Sequence, residues 1–121
     1  MSERMLFPAT WGTDDPERAT VPFILATVAR ASGQAATVVC TAEAVWLGTT
    51  GGADGIAVEG LPVLADLVSE LLGAGGEIWL CSACVNKRGI GEGDLLAGVT
   101  IVGAARIVEE VAAGARSITL T

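Results

Sequence analysis

The feature that most constrains this chain is a repeated alternation of short apolar runs with longer segments whose apolar residues recur at helical spacing. Five runs have the length and composition of strands: residues 5–9, 36–40, 77–80, 99–102 and 116–120. Parallel neighbours in a sheet need right-handed crossovers, so the order β-α-β-α-β-α-β-α-β predicts an α/β fold. We expect a mostly parallel open sheet of about five strands with helices on both faces, in a single domain at residues 1–121. An all-helical fold is the alternative, and β-branched runs bounded by glycine and polar turns argue against it.

Local patterns predict where the helices lie. The run Asp-Asp-Pro-Glu at residues 14–17 predicts the start of the first helix, because a carboxylate there can accept from N–H groups that lack a helical partner. Apolar residues recur most regularly over residues 62–72. A second amphipathic helix is predicted for residues 104–113, with an apolar stripe (Ile107, Val108 and Val111) opposite charged side chains (Arg106, Glu109 and Glu110).

The charge and residue content exclude several classes of function. Seven basic residues against fourteen acidic ones give a net charge of −7, which disfavours nucleic acid and anionic membrane surfaces as partners. The chain has no histidine, so it cannot use Ser-His or Cys-His catalysis or an imidazole ligand for a metal. Any chemistry must therefore use cysteine, carboxylates, Lys and Arg, or backbone dipoles.

The cellular location is predicted from hydropathy and cysteine content. No apolar stretch reaches the roughly 20 residues that a membrane-spanning helix needs, and the first 20 residues hold too short an apolar segment for a signal peptide. The three cysteines are an odd number without a secretory context, so we expect reduced thiols rather than a disulfide framework. The sequence predicts a cytoplasmic protein.

Reactive groups are expected at one edge of the sheet. In open parallel sheets, ligands collect at the carboxyl ends of the strands, and Cys81 directly follows the third predicted strand. Residues 11–14 and 40–43 follow the first and second strands, so these distant loops should share a pocket with the cysteine segment. The predicted pocket residues are Trp11, Gly12, Thr13, Cys40, Glu43 and Lys87.

The stretch "SACVNKRG" after Cys81 predicts a helix whose start would favour an ionised thiol. Unpaired N–H groups at a helix N-terminus stabilise thiolate relative to thiol, and Lys87 and Arg88 add positive charge on the same segment. Cys84 and Arg88 fall on the Cys81 face of such a helix. The candidate catalytic residues are therefore Cys81, Cys84 and Arg88.

Each cysteine also has a purely structural interpretation, because free cysteine often packs as a small buried hydrophobe. That interpretation is favoured for Cys40, which lies inside a valine-rich strand, whereas the position of Cys81 favours function. Cys84 could resolve a disulfide with Cys81 or line the inner face of the helix. The three thiols with Glu43 could also bind a metal, but one Cys-x-x-Cys pair is a weak zinc signal, and we predict no metal and no cofactor.

The stretch "EIWLCSACVNKRGI" resembles the DsrE/DsrF-like proteins of intracellular sulfur metabolism, and the order of elements extends the likeness over nearly the whole chain. The resemblance implies a compact α/β fold that assembles into trimers or hexamers. It also implies that Cys81 carries a persulfide between a sulfur donor protein and an acceptor protein. Cys84 departs from the single-cysteine pattern of the relay members.

Three hypotheses of function follow. The first is a cytoplasmic sulfur-trafficking protein, a sulfurtransferase or sulfur carrier, that accepts sulfane sulfur on Cys81. The second is a dithiol redox protein that uses Cys81 and Cys84, and the third is a non-enzymatic oligomeric module that binds a small ligand. Three tryptophans, Trp11, Trp46 and Trp79, and a mean hydropathy of +0.58 favour apolar surface at an interface, which predicts a homo-oligomer.

Overall fold

Five parallel strands form one sheet in the computed structural model, which describes residues 2–120. The strands are β1 (Met5–Ala9), β2 (Ala36–Cys40), β3 (Glu77–Cys81), β4 (Val99–Val102) and β5 (Arg116–Ser117), and their spatial order is β4-β3-β2-β1-β5. Every neighbouring pair is parallel. The predicted single-domain α/β fold is confirmed, and the sheet is parallel throughout. β5 is two residues long where a strand of five residues was predicted.

Helices connect the strands. They are α1 (Pro16–Ala31), α2 (Leu64–Gly73), α3 (Ser82–Lys87) and α4 (Ala104–Ala112), and short 3₁₀ helices occupy Ala42–Gly48 and Glu92–Asp94. The Asp15 carboxylate accepts from the Arg18 backbone N–H at 3.1 Å, so α1 begins as the sequence predicts. No helix within residues 2–120 has both the length and the apolar content to cross a membrane.

The main core lies on the face of the sheet that α1 and α2 cover. Alternate strand side chains point to this face because successive residues of a strand project to opposite sides. Phe7, Val38, Ile78 and Leu80 from the strands pack there with Phe23, Leu67 and Leu71 from the helices. This packing holds the strands in register, so the carboxyl ends of β1, β2 and β3 lie side by side.

The opposite face of the sheet has a smaller apolar cluster, and α4 covers it in an unusual orientation. An amphipathic helix ordinarily turns its apolar stripe toward the core. In α4 only Ile107 packs against the cluster, whereas Val108 is 66% exposed and Val111 is 49% exposed. Glu110, predicted on the charged side, is buried instead.

Ion pairs explain this orientation of α4. Glu110 accepts from Arg4 Nε at 3.1 Å and from Arg106 Nη1 at 3.0 Å, and the Ser2 hydroxyl donates to it at 2.9 Å. Arg4 also bonds Glu77 of β3 at 2.6 Å, which joins α4 to the sheet through charged groups. Burying Glu110 is tolerable because both of its oxygens are hydrogen-bonded to cations.

Trp79 lies at the centre of this second cluster. It is 2% exposed, and the guanidinium carbons of Arg4 and Arg106 lie 5.0 and 4.6 Å from its ring centroid. Its indole N–H donates to Glu77 at 3.1 Å. The sequence predicted that Trp79, with the other two tryptophans, contributes apolar surface at an interface. For Trp79 this prediction is wrong, because cation–π contacts and α4 cover the ring.

Candidate functional site

Loops that follow β1, β2 and β3 meet at one edge of the sheet, as predicted. The Gly12 backbone lies against the backbone oxygen of Glu43, which belongs to the 3₁₀ helix after β2. Glu43 in turn forms an ion pair with Arg88 from the segment after β3. The parallel arrangement brings these three residues together although they are far apart in sequence.

Cys81 ends β3 and directly precedes α3, and its thiol is half-buried and therefore reachable from solvent. The backbone N–H of Cys84 lowers the pKa of the Cys81 thiol, and the Cys84 side chain and the Ala83 backbone N–H lower it further. These groups outweigh partial burial, which acts in the opposite direction. Cys81 is consequently a more acidic thiol than an ordinary cysteine.

Cys84 contacts the loop that follows β2. The backbone N–H of Ala42 donates to Cys84 Sγ at 3.2 Å. Ala42 has a φ of 51°, which places it in the left-handed region that residues with a side chain rarely adopt. A strained backbone thus presents an N–H group to the second sulfur of the pair.

Arg88 is held by the same loop. Its Nε and Nη2 atoms each lie 3.0 Å from Glu43 Oε1, and its Nη1 donates to the Cys84 carbonyl oxygen at 3.2 Å. The Arg88 side chain is 16% exposed. Because Glu43 neutralises this guanidinium, Arg88 joins α3 to the 3₁₀ helix rather than facing Cys81 as a free cation.

Cys40 was named among the pocket residues but does not line the site, and the structural interpretation favoured for it, a small buried hydrophobe within a strand, agrees with its position. Its side chain is 0% exposed within the main core, and this burial raises the pKa of its thiol far above the ordinary value. Strand alternation turns it to the face that α1 and α2 cover. Among residues 2–120, no three Cys, Asp or Glu side chains lie close enough together to hold a metal ion.

The other predicted pocket residues have different surroundings. Trp11 is partly exposed and lines a cavity of about 370 Å³ with Pro8, Pro22 and Leu120, and neither Cys81 nor Cys84 lines this cavity. Thr13 and Lys87 are exposed, and neither side chain forms a hydrogen bond or ion pair with another residue in the part of the chain described. A pocket shared by these side chains and Cys81 stays a prediction.

One residue of the site was not predicted from the sequence. Ala42 donates its backbone N–H to Cys84 Sγ, whereas the N–H groups of Ala83 and Cys84 that lower the pKa of Cys81 belong to the start of α3, where such groups were predicted. An alanine side chain carries no chemical signal, and the left-handed conformation of Ala42 is unusual for its residue type. Only the placement of the loop reveals the contribution of Ala42.

Comparisons with known proteins agree with this architecture. The model of the DsrE/DsrF-like family matches residues 4–120. The uncharacterized protein MJ0760 of Methanocaldococcus jannaschii is 33% identical over 95 residues, which cover 78% of this chain. The matched region is 34% of that relative, so the chain spans about a third of the relative's length.

Solved structures share the fold over nearly the full chain. The crystal structure of the YchN protein from E. coli superposes with a TM-score of 0.79 at 19% identity, covering 99% of this chain and 100% of that one. The protein of unknown function MTH1491 from Methanobacterium thermoautotrophicum superposes with a TM-score of 0.71 at 25% identity, covering 98% and 100% of the two chains. These likenesses extend from β1 to β5.

Proposed function

This chain belongs to the DsrE/DsrF-like family, and on that premise we propose that it is a sulfur-trafficking protein of the cytoplasm that carries sulfane sulfur as a Cys81 persulfide. The observation that carries the proposal is the state of the Cys81 thiol. It is accessible at the end of β3, and neighbouring N–H groups lower its pKa. Because thiolate is the nucleophilic form of cysteine, a lowered pKa increases the reactive fraction near neutral pH.

The transfer conserves atoms and charge. The Cys81 thiolate attacks the terminal sulfur of a donor persulfide, R–S–SH, so a new S–S bond forms at Cys81 while the S–S bond of the donor breaks. The donor leaves as the thiolate R–S⁻, and the proton stays on the transferred sulfur. A thiolate of the acceptor protein then attacks that sulfur and releases Cys81 as thiolate. No oxidant or metal takes part in either step.

A dithiol redox function is the second candidate, and the position of Cys84 favours it. Cys84 follows Cys81 by three residues in α3, which is the spacing of side chains on one face of a helix, and its side chain is among the groups that lower the pKa of Cys81. In this reaction Cys81 attacks a disulfide of a partner, and Cys84 then displaces the partner from the mixed disulfide. The partner gains two electrons and becomes a dithiol, while this chain forms a Cys81–Cys84 disulfide.

Intact mass after incubation with a persulfide donor tests the sulfur-carrier proposal. We expect the wild-type chain to gain the mass of one sulfur atom and Cys81→Ser to gain none. Cys40→Ala is the matched control because Cys40 is buried, and it should gain sulfur like the wild type. Cys84→Ser should also gain sulfur if Cys81 alone is the carrier.

The same measurement distinguishes the redox function. A wild-type chain that gains no sulfur but loses two hydrogens on exposure to an oxidised disulfide would support the dithiol reaction and overturn the carrier proposal. Loss of that change in Cys84→Ser would identify Cys84 as the resolving thiol.

A further inference from the structure

We propose that the cavity beside Trp11 binds a small organic cation, a molecule with an ammonium or guanidinium group on an apolar body. The cavity has a volume of about 370 Å³, which lies within the range of small-molecule sites, and it is bounded by the loop after β1, the first turns of α1 and the segment after β5. Neither Cys81 nor Cys84 lines it. The inference therefore concerns a second site and does not rest on the sulfur-carrier proposal.

The walls of the cavity suit an apolar body. Trp11 is 39% exposed, and apolar side chains of β1, α1 and the segment after β5 stand around it: Pro8, Val21, Pro22 and Leu120. Sites for small molecules typically combine such apolar and aromatic walls with a few charged or polar groups. A flat ring or a short alkyl chain would be removed from water against these side chains, which favours binding.

The charged groups of the cavity favour a cation. Three charged side chains line it, those of Asp15, Glu17 and Arg18. Asp15 Oδ2 and Arg18 Nη1 lie 2.9 Å apart and neutralise each other. Within residues 2–120 Glu17 forms no ion pair, so its carboxylate leaves the cavity with a negative charge. The net charge of −7 on the whole chain attracts a cation in the same way.

The start of α1 lies at this cavity, and the helix dipole by itself would favour an anion there. The chain uses the groups that an anion would need. Asp15 Oδ1 accepts from the Arg18 backbone N–H at 3.1 Å, and Pro16 has no backbone N–H to donate. Because Glu17 lies in the same turn, an anion would meet carboxylates rather than free donors.

Arg18 occupies the position that we assign to the ligand cation. Its guanidinium carbon lies 5.6 Å from the centroid of the Trp11 ring, a distance at which the ring attracts a positive charge. The same guanidinium binds Asp15, so one cation contacts an aromatic face and a carboxylate together. The Arg18 side chain is 58% exposed, and it can therefore turn toward solvent when a ligand cation takes its place.

The test is an NMR titration of the isotope-labelled chain with phenethylammonium, followed at the Trp11 indole N–H. Phenethyl alcohol and phenylacetate are neutral and anionic probes of similar size. We expect a dissociation constant of about 1–10 mM for the cation, as for a ligand of this size, and one about two- to fivefold higher for the alcohol. Phenylacetate should bind more weakly than both. Absence of a saturable shift with phenethylammonium, or an affinity for either other probe that equals or exceeds it, would overturn the inference.

Two tryptophan variants locate the site. Trp11→Ala should weaken phenethylammonium binding about fivefold or more, measured at the Gly12 backbone N–H, because it removes the aromatic wall. Trp46→Ala is the matched control, since Trp46 is 37% exposed but lines a different cavity. Cys81→Ser should bind like the wild type, and the spectrum of each variant reports whether it is folded. Unchanged binding in Trp11→Ala would place the ligand elsewhere and overturn the inference.

Charge variants test the competition with Arg18. Arg18→Ala should bind phenethylammonium about two- to fivefold more tightly, because the ligand no longer displaces a guanidinium from Trp11 and Asp15. Glu17→Gln should bind it about two- to fivefold more weakly, with an unchanged affinity for phenethyl alcohol. Glu109→Gln controls for the loss of a distant charge, since Glu109 is exposed on α4. Weaker binding in folded Arg18→Ala, or equal effects of Glu17→Gln and Glu109→Gln, would overturn the inference.

Discussion

Gly12 approaches Glu43 so closely that an ideal Cβ on Gly12 would lie 2.8 Å from the Glu43 backbone oxygen. This contact joins the loop after β1 to the 3₁₀ helix after β2, and it fixes the segment that presents Ala42 to Cys84. Gly12, in the loop after β1, thus supports the segment that contacts Cys84.

We expect Gly12→Ala to lower the free energy of unfolding by about 1–3 kcal/mol, because the added methyl group would overlap a backbone atom that cannot move alone. Urea denaturation followed by circular dichroism measures the change. Gly93→Ala is the matched control, since a Cβ there meets no heavy atom within 4 Å. Equal free energies of unfolding for the two variants would contradict this prediction, because they would show that the loop accommodates the added methyl group without loss of stability.

Cys81 and Cys40 should differ in their reactivity toward iodoacetamide. Burial raises the pKa of Cys40 and excludes reagent, whereas Cys81 is reachable and its pKa is lowered. Raising the pH from 6 to 8 should therefore label Cys81 well before Cys40 and leave Cys40 unlabelled in the folded chain. Peptide mass mapping after a timed quench checks this order, and rapid native labelling of Cys40 would contradict it.

The ion pairs of Glu110 should contribute to stability. Glu110→Ala is expected to lower the free energy of unfolding by about 1–3 kcal/mol, because it leaves Arg4 and Arg106 without one partner beneath α4. Glu109→Ala is the control, since Glu109 is exposed on the same helix. If both variants unfold at the same urea concentration, the buried ion pairs do not hold α4 on the sheet.

The free energy of unfolding of the wild type should decrease in acid, and protonation of Glu110 should account for part of that decrease. The hydrogen bond from Arg106 lowers the pKa of Glu110, and bonds from Ser2 and Arg4 act in the same direction against partial burial. A carboxyl with a depressed pKa stabilises the fold above its unfolded pKa and loses that contribution as the pH falls through the folded pKa. Glu110→Gln should therefore show a shallower decrease in stability with acid than the wild type, by urea denaturation at each pH.

Homo-oligomerisation stays a prediction, and we propose a trimer or hexamer. Large apolar side chains remain exposed on the chain: Val28, Trp46, Val108, Val111 and Leu120. Exposed apolar surface usually marks an interface. Light scattering after size exclusion should give three or six times the 12.2 kDa chain mass, and a single monomeric species at micromolar concentration would contradict the proposal.

Local patterns were sufficient to predict much of the fold. The short apolar runs predicted four strands nearly to the residue, and the Asp-Asp-Pro-Glu run predicted the start of α1. The position of Cys81 at the end of β3 followed from the same patterns, because a strand end and a helix start are set by neighbours along the chain. The convergence of three loops followed from the parallel order alone.

The sequence by itself therefore determined the order of the elements, the parallel sheet and the edge at which Cys81 lies, because these depend on interactions between near neighbours. Only the tertiary structure decided which side of α4 is buried, since Glu110 meets Arg4 from 106 residues away. The tertiary structure likewise decided that Arg88 binds Glu43 across 45 residues and that the Ala42 N–H reaches Cys84. Such pairings depend on how distant segments pack, and no periodicity in the sequence encodes the identity of the partner.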